Sequence, residues 1–194
     1  MSRALQMQFV AATTAVDQLP ESAAEIAFLG RSNVGKSSLL NAIAGQRLAQ
    51  VSATPGRTQV LTCFQVERSG STLVDCPGYG YAQVAKSQRK GWLPMLENYL
   101  LDRENLVKAL LLLDGEIGPT ESDLHMLEWL RTHDVATALV ATKRDKIKPS
   151  QRERRRIDVA KACAVDIGDV AWVSASEDFG IGALREQIRD WLSL

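Results

Sequence analysis

A glycine-bounded loop set between an apolar run and a helix start narrows most sharply what this chain can become. Gly30-Arg31-Ser32-Asn33-Val34-Gly35-Lys36-Ser37 matches GxxxxGK[ST] at every fixed position. It follows Ile26-Ala27-Phe28-Leu29 and precedes Ser38-Leu39-Leu40-Asn41-Ala42-Ile43, the order strand, loop, helix. The glycines let the backbone turn sharply and aim successive N–H groups inward, which makes an anion nest at a positive helix terminus. Lys36 can then reach the β- and γ-phosphates of a bound nucleotide, and the Ser37 hydroxyl can ligate Mg²⁺. A chance glycine turn does not account for two glycines, a lysine and a serine in register between a strand and a helix.

The rest of the chain alternates apolar runs with amphipathic segments, the mark of an α/β fold. Residues 1–23 are weakly periodic and read as an N-terminal extension able to lay one short strand on the domain formed by residues 24–194. The pattern predicts strands near 25–29, 60–67, 71–75, 106–114, 135–141 and 170–173. The short link Arg68-Ser69-Gly70 makes a hairpin of the second and third, so one antiparallel strand joins an otherwise parallel sheet. Five main helices are expected between and after these strands, on both faces of the sheet. Gly91 and Pro94 predict a broken start to the second, with regular helix from about Pro94. Thr120-Glu121-Ser122-Asp123 resembles a capping box opening the third. The fourth, near 150–163, is basic, with Ile157 and Ala160 expected to face inward. The fifth places Ile181, Leu184, Ile188 and Leu192 on one face.

In such a sheet ligands bind at the carboxyl ends of the strands, and the informative loops lie there. Asp75-Cys76-Pro77-Gly78 fits DxxG: the carboxylate can hold Mg²⁺ through water, and the Gly78 N–H can meet a γ-phosphate. Thr142-Lys143-Arg144-Asp145 fits [NT]KxD. Its carboxylate can accept two hydrogen bonds from guanine N1–H and the exocyclic amine, which adenine does not supply, while the lysine stem covers the base. Ser174-Ala175 is a small-residue turn that lets a backbone N–H approach guanine O6.

Bulk properties exclude little. The 194 residues suffice for one domain, 45% are hydrophobic and 24% charged, and Lys+Arg and Asp+Glu balance at 23 each, so net charge points to no polyanion. Cys63, Cys76 and Cys163 are scattered without CxxC spacing and fit a reducing compartment rather than a disulfide framework or zinc site. No apolar leader or membrane-length stretch stands out, so a cytoplasmic protein without a membrane partner, and a monomer, is expected.

With these loops in place the chain resembles the translation-factor-related GTPases, and more closely the EngB (YihA/YsxC) family. The matches are GRSNVGKSSLLNAI, TPGRTQ, DCPGYGYA, the Trp92 to Leu100 segment, LLLD…GPTESD and TKRDK, from about residue 24 onward. The resemblance implies a P-loop NTPase fold of the Ras-like G-domain type, and Mg²⁺-dependent GTP binding with slow hydrolysis, GTP and GDP being the ligands. It also implies a role in assembling the large ribosomal subunit, through rRNA or a ribosomal protein of the precursor, and a link to cell division and septation. Carried over by position, the nucleotide site comprises Gly30, Arg31, Ser32, Asn33, Val34, Gly35, Lys36 and Ser37; Gly56, Arg57, Thr58, Gln59 and Val60; Asp75, Cys76, Pro77 and Gly78; Thr142, Lys143, Arg144 and Asp145; and Val173, Ser174 and Ala175. Lys36, Thr58 and Gly78 take the catalytic roles. Ser37 and Thr58 are the protein ligands to Mg²⁺, with Asp75 acting through water. Glu116 stands where many relatives carry a basic residue, a departure that bears on a surface contact rather than on the nucleotide.

Ras-like GTPases orient the attacking water with a Gln after DxxG. Tyr79 holds that place here and cannot do the same job. Asn33 either helps hold K⁺ near the phosphates, as in related GTPases with Asn there, or only shapes the loop. Arg57 either lends charge in cis or is a solvated switch residue. Lys143, Arg144, Lys146, Lys148, Arg152, Arg154, Arg155 and Arg156 concentrate positive charge that is either a solvated face or an rRNA-facing one, with Lys86, Arg89 and Lys90 able to extend it. The leading expectation is a GTPase switch. The alternative is a ribosome- or rRNA-binding module that nucleotide stabilises and whose turnover is incidental. A small-molecule P-loop kinase would leave TKRD without a use.

Overall fold

A computed structural model describes residues 3–48, 60–79 and 86–194, with residues 86–92 described by their backbone alone. Its strands are β1 (Met7–Thr13), β2 (Glu25–Gly30), β3 (Leu61–Val66), β4 (Ser71–Asp75), β5 (Leu106–Asp114), β6 (Thr137–Thr142) and β7 (Val170–Trp172). They form one sheet in the order β1-β3-β4-β2-β5-β6-β7. The pairs β2–β4, β2–β5, β5–β6 and β6–β7 are parallel, and β3 is antiparallel to both β4 and β1. One strand, β3, therefore runs against the rest, as the hairpin reading requires.

Seven strands replace the six expected, because the N-terminal extension supplies β1. Its pattern is weak for a physical reason: as an edge strand it leaves Phe9 and Val10 exposed, and a register shift between Phe9 and Ala11 interrupts its alternation. Phe9 still packs edge-on against Phe64 of β3.

The helices are α1 (Lys36–Ala44), α2 (Lys86–Asp102), α3 (Glu121–Thr132), α4 (Arg152–Ala162) and α5 (Ile181–Leu192). Two apolar layers sandwich the sheet. On one face Leu96 and Tyr99 of α2, Leu127 and Leu130 of α3 and Val159 of α4 pack against strand residues such as Leu111 and Ala141. On the other, Leu39 and Ile43 of α1 and Leu184 and Ile188 of α5 meet Phe28, Leu110 and Val140. All six residues of β2 are buried, and β5 is buried from Ala109 to Asp114, as central parallel strands require.

Two helix expectations need correction. The helix α2 is not broken before Pro94; it runs from Lys86 through Pro94 to Asp102. Proline removes one backbone N–H, and the burial of Met95, Leu96, Tyr99 and Leu100 against the sheet holds the following turns in place despite that loss. In α4 the inward residues are Val159 and Ala160, while Ile157 is 42% exposed. The 3-10 turn Pro149–Gln151 precedes α4 and places its start later than the sequence pattern suggests. The remaining helices fall where expected, and Gly45 ends α1 in the left-handed conformation.

Candidate nucleotide site

The loop from Gly30 to Ser37 leaves the carboxyl end of β2 and enters α1, whose first residue is Lys36. Gly35 has φ 104°, which an L side chain rarely adopts, and Asn33 is also left-handed at φ 66°. At Gly30 a Cβ would lie 2.8 Å from Val34 Cγ1, so the turn closes only around glycine. Val34 is buried in the core and Thr142 donates its hydroxyl to the Val34 carbonyl at 2.5 Å, which ties the loop to the end of β6. The helix behind the loop is closed at its far end by Arg185 of α5, which donates to the carbonyls of Ile43 (3.0 Å) and Ala42 (2.6 Å). A cation on those carbonyls complements the negative end of the helix dipole.

Asp75 ends β4 beside this loop, with its Oδ1 2.6 Å from Lys36 Nζ. The contact is an ion pair without hydrogen-bond alignment, and Oδ1 is buried without another partner among the described residues. A buried carboxylate oxygen in that condition, paired with the lysine that Ser37 follows in the first turn of α1, together with the Ser37 hydroxyl is the donor chemistry of a hard divalent cation. These residues fit Mg²⁺.

After Asp75 the chain folds directly onto the phosphate loop. A Cβ on Gly78 would lie 3.0 Å from both the backbone N and the Oγ of Ser32. Tyr79 donates its N–H to the Gly30 carbonyl (3.4 Å) and accepts from the Ser32 N–H (3.2 Å). Cys76, by contrast, sends its side chain into the core, where burial pushes the thiol well above its ordinary range. It therefore packs as an uncharged group and reaches the site only through its backbone.

The two loops expected to meet a guanine base follow β6 and β7. Lys143 is left-handed (φ 56°) and its Nζ pairs with Asp114 Oδ2 at 2.6 Å, which fixes the direction of its stem. Asp114 in turn accepts the N–H groups of Glu116 and Ile117 through Oδ1. Asp145 Oδ1 accepts the Ser174 hydroxyl at 2.8 Å, and the Glu177 N–H donates to Ser174 Oγ at 3.1 Å. Burial on its own would raise the Asp145 carboxyl, but hydrogen bonds from Ser174, its own backbone and Ser176, with Lys146 nearby, hold it below its ordinary value. The carboxylate therefore stays an acceptor at neutral pH. The Arg144 N–H donates to the Val173 carbonyl, joining the two loops, while its guanidinium stacks 3.6 Å from the Phe179 ring centroid. Backbones come close here: a Cβ on Gly115 would collide with the Thr142 carbonyl oxygen.

Four of the five expected site segments thus converge at the carboxyl edge of the sheet. Gly56, Arg57, Thr58 and Gln59 lie outside the described residues, and so do the side chains of Lys86, Arg89 and Lys90; Val60 is described, half-buried just before β3. Within the converging loops Val34 and Cys76 bury their side chains in the core, Arg31 faces Asp123 and Arg144 stacks on Phe179. Sequence reasoning missed the positioning partners Asp114, Asp123 and Arg185. The first two stand inside LLLD…GPTESD, a string legible as a signature but silent about contacts 29 and 44 residues away.

Comparison with known proteins agrees with this geometry. A family model described as "50S ribosome-binding GTPase" matches residues 25–143. A probable GTP-binding protein EngB of Citrifermentans bemidjiense is 42% identical over 190 residues, covering 97% of this chain and 88% of the relative. A counterpart from a Geobacter strain is 47% identical over 183 residues, covering 93% and 85%. Among solved structures, a probable GTP-binding protein EngB superposes with TM-score 0.70 at 23% identity, covering 88% of this chain and 99% of that one. The Era protein in complex with MgGDPNP and a segment of 16S ribosomal RNA superposes with TM-score 0.69 at 20% identity, covering 89% and 57%, a likeness of fold.

Proposed function

The chain belongs to the EngB family of GTP-binding proteins, and on that premise we propose that it is a guanine-nucleotide switch acting in assembly of the large ribosomal subunit. It is a GTPase, converting GTP to GDP and phosphate. The observation that carries the switch reading is the docking of Gly78 and Tyr79 on the phosphate loop, which puts a γ-phosphate-sensitive segment in contact with the nucleotide cradle. Lys36 and the inward N–H groups bind phosphate charge, and Asp145 with Ser174 selects guanine. Mg²⁺, held by Ser37 and by Asp75 through water, with Thr58 as a further ligand, would neutralise charge on the β- and γ-phosphates. Tyr79, buried where a water-orienting Gln would stand, supports a low intrinsic rate.

The exposed Asn33 amide offers an oxygen donor at the mouth of the loop, the kind of ligand K⁺ takes. GTP turnover faster in K⁺ than in Na⁺ buffer is the expected result, and equal rates exclude the ion.

The ribosomal side of the proposal draws on the family description, which names the 50S particle, and on the basic surface beside the base loops. Lys146, Lys148 and Arg154 are exposed there, although Arg154 pairs with Asp158 at 3.0 Å and Arg156 with Glu153 at 3.1 Å. Phosphate-rich rRNA would engage such a face with steep salt dependence. The cell-division and septation role would then follow from that assembly step. Sedimentation with ribosomal subunits tests the whole: the protein should travel with the large-subunit precursor in GTP and dissociate in GDP. Equal binding in both states would favour a nucleotide-stabilised binding module instead.

A further inference from the structure

We infer that Tyr79 and Asp123 form a latch that holds the segment after β4 in its γ-phosphate-facing position, which makes Asp123 a positioning residue for GTP. The inference rests on reading DCPG as the γ-phosphate contact.

Tyr79 is gripped at both ends. Its ring is 5% exposed, and its hydroxyl donates to Asp123 Oδ1 at 2.9 Å. A buried phenol needs such a partner, since an unmade hydrogen bond there leaves the full desolvation cost of the hydroxyl. Burial and the Asp123 charge both push the phenol above its ordinary range, so it remains a donor. Its backbone meanwhile bonds Gly30 and Ser32 of the phosphate loop. Side chain and backbone thus pin one residue between α3 and the nucleotide cradle.

Asp123 is a fixed post. It is 1% exposed, and its Oδ2 accepts the N–H (2.8 Å) and hydroxyl (2.7 Å) of Thr120, so the carboxylate is built into the first turn of α3. Oδ2 also lies 3.8 Å from Arg31 Nε, a charge contact too long for a hydrogen bond. That Nε is buried and has no hydrogen-bond partner among the described residues. The phosphate loop, the segment after β4 and α3 therefore meet at one carboxylate.

The latch acts on Gly78. With Tyr79 pinned, Gly78 sits so close to Ser32 that even a methyl group would crowd it. GTP meets an N–H already in place, whereas GDP has no γ-phosphate to use it. Releasing the latch should therefore weaken GTP and spare GDP, a difference that a merely structural contact would not produce.

The test measures equilibrium binding of GDP and of a non-hydrolysable GTP analogue to the wild-type chain, Tyr79→Phe, Asp123→Asn and the double variant, alongside melting curves. Tyr79→Phe keeps the buried ring and removes one hydroxyl, so it decides the question even where Asp123→Asn fails to fold. The GTP-to-GDP affinity ratio should fall about tenfold to a hundredfold in Tyr79→Phe, the effect of one hydrogen bond to a charged group. GDP affinity should move less than about twofold, and the double variant should be no worse than the more affected single one. An unchanged ratio, or additive losses in the double variant, overturns the latch while wild-type guanine binding stands. Failure of the wild type to bind either nucleotide overturns both readings.

Discussion

Glu25 and Asp75 are buried carboxylates at opposite ends of the sheet, and their surroundings treat them in opposite ways. At the amino end Glu25 is fully buried and both of its oxygens are taken. Oε2 accepts from Thr72 (2.7 Å) and Arg103 (3.2 Å), and Oε1 from Tyr99 (2.9 Å) and Arg103 (3.0 Å). Arg103 also donates to the Pro20 carbonyl, so one carboxylate joins the N-terminal segment, β4 and the end of α2. At the carboxyl end Asp75 keeps an oxygen that is ion-paired with Lys36 but has no hydrogen-bond partner among the described residues. One carboxylate is a rivet, and the other keeps an oxygen free for the cation proposed above.

Substitutions at the two ends should separate cleanly. The largest effect is expected from Lys36→Ala, which should weaken GTP binding about 1000-fold, roughly 4 kcal/mol, by leaving phosphate charge unmatched. Calorimetric titration measures it. Glu25→Gln should cost about 3 kcal/mol of stability, because Arg103 loses its buried counter-charge. Chemical denaturation should register that loss while GTP affinity changes little. A large change in nucleotide affinity from Glu25→Gln would erase the contrast between the ends.

Asp145→Asn should weaken both guanine nucleotides about 100-fold, since an amide cannot accept two hydrogen bonds in place of a carboxylate. Adenine nucleotide affinity, measured by competition, should stay where it was. Asp114→Asn should weaken GTP and GDP alike by about fivefold, through loss of the ion pair that directs the half-exposed Lys143. The smallest effect is one of pH. The folded Asp145 carboxyl lies below its ordinary 3.8, so its stabilisation is complete at neutral pH and is lost only as pH falls from that value through the lowered one. Melting temperature followed through the acid range should show this limb in the wild type and lose it in Asp145→Asn.

Much of the site was legible because its chemistry sits in short, fixed spacings. A phosphate nest needs Gly30, Gly35, Lys36 and Ser37 within one turn, and a guanine acceptor needs Asp145 next to its lysine. The central strands were legible because burial on both faces forbids polar interruption, as in the unbroken apolar run from Ala109 to Leu113 of β5. What escaped depends on distance. Glu25 reads as an ordinary charged residue at a strand end, since its partners stand 47, 74 and 78 residues away. The capping role of Asp123 was legible from Thr120 three residues before it; its bond to Tyr79 was not. Pro94 misleads when local propensity is weighed without the apolar turns that follow it. Ile157 misleads because a branched aliphatic on a helix reads as core even when Val159 and Ala160 already fill that face.

The closure of α1 by Arg185 has a consequence for how such a chain comes together. The family match ends at residue 143, and by then every described group that would face the phosphates has been supplied. Yet the carbonyls at the far end of the phosphate-binding helix receive their arginine from 142 and 143 residues further along. A fragment cut after that match would carry the phosphate loop on a helix with an unsealed end. The far end of that helix is thus sealed only when the final helix docks, after the phosphate loop itself has been synthesised.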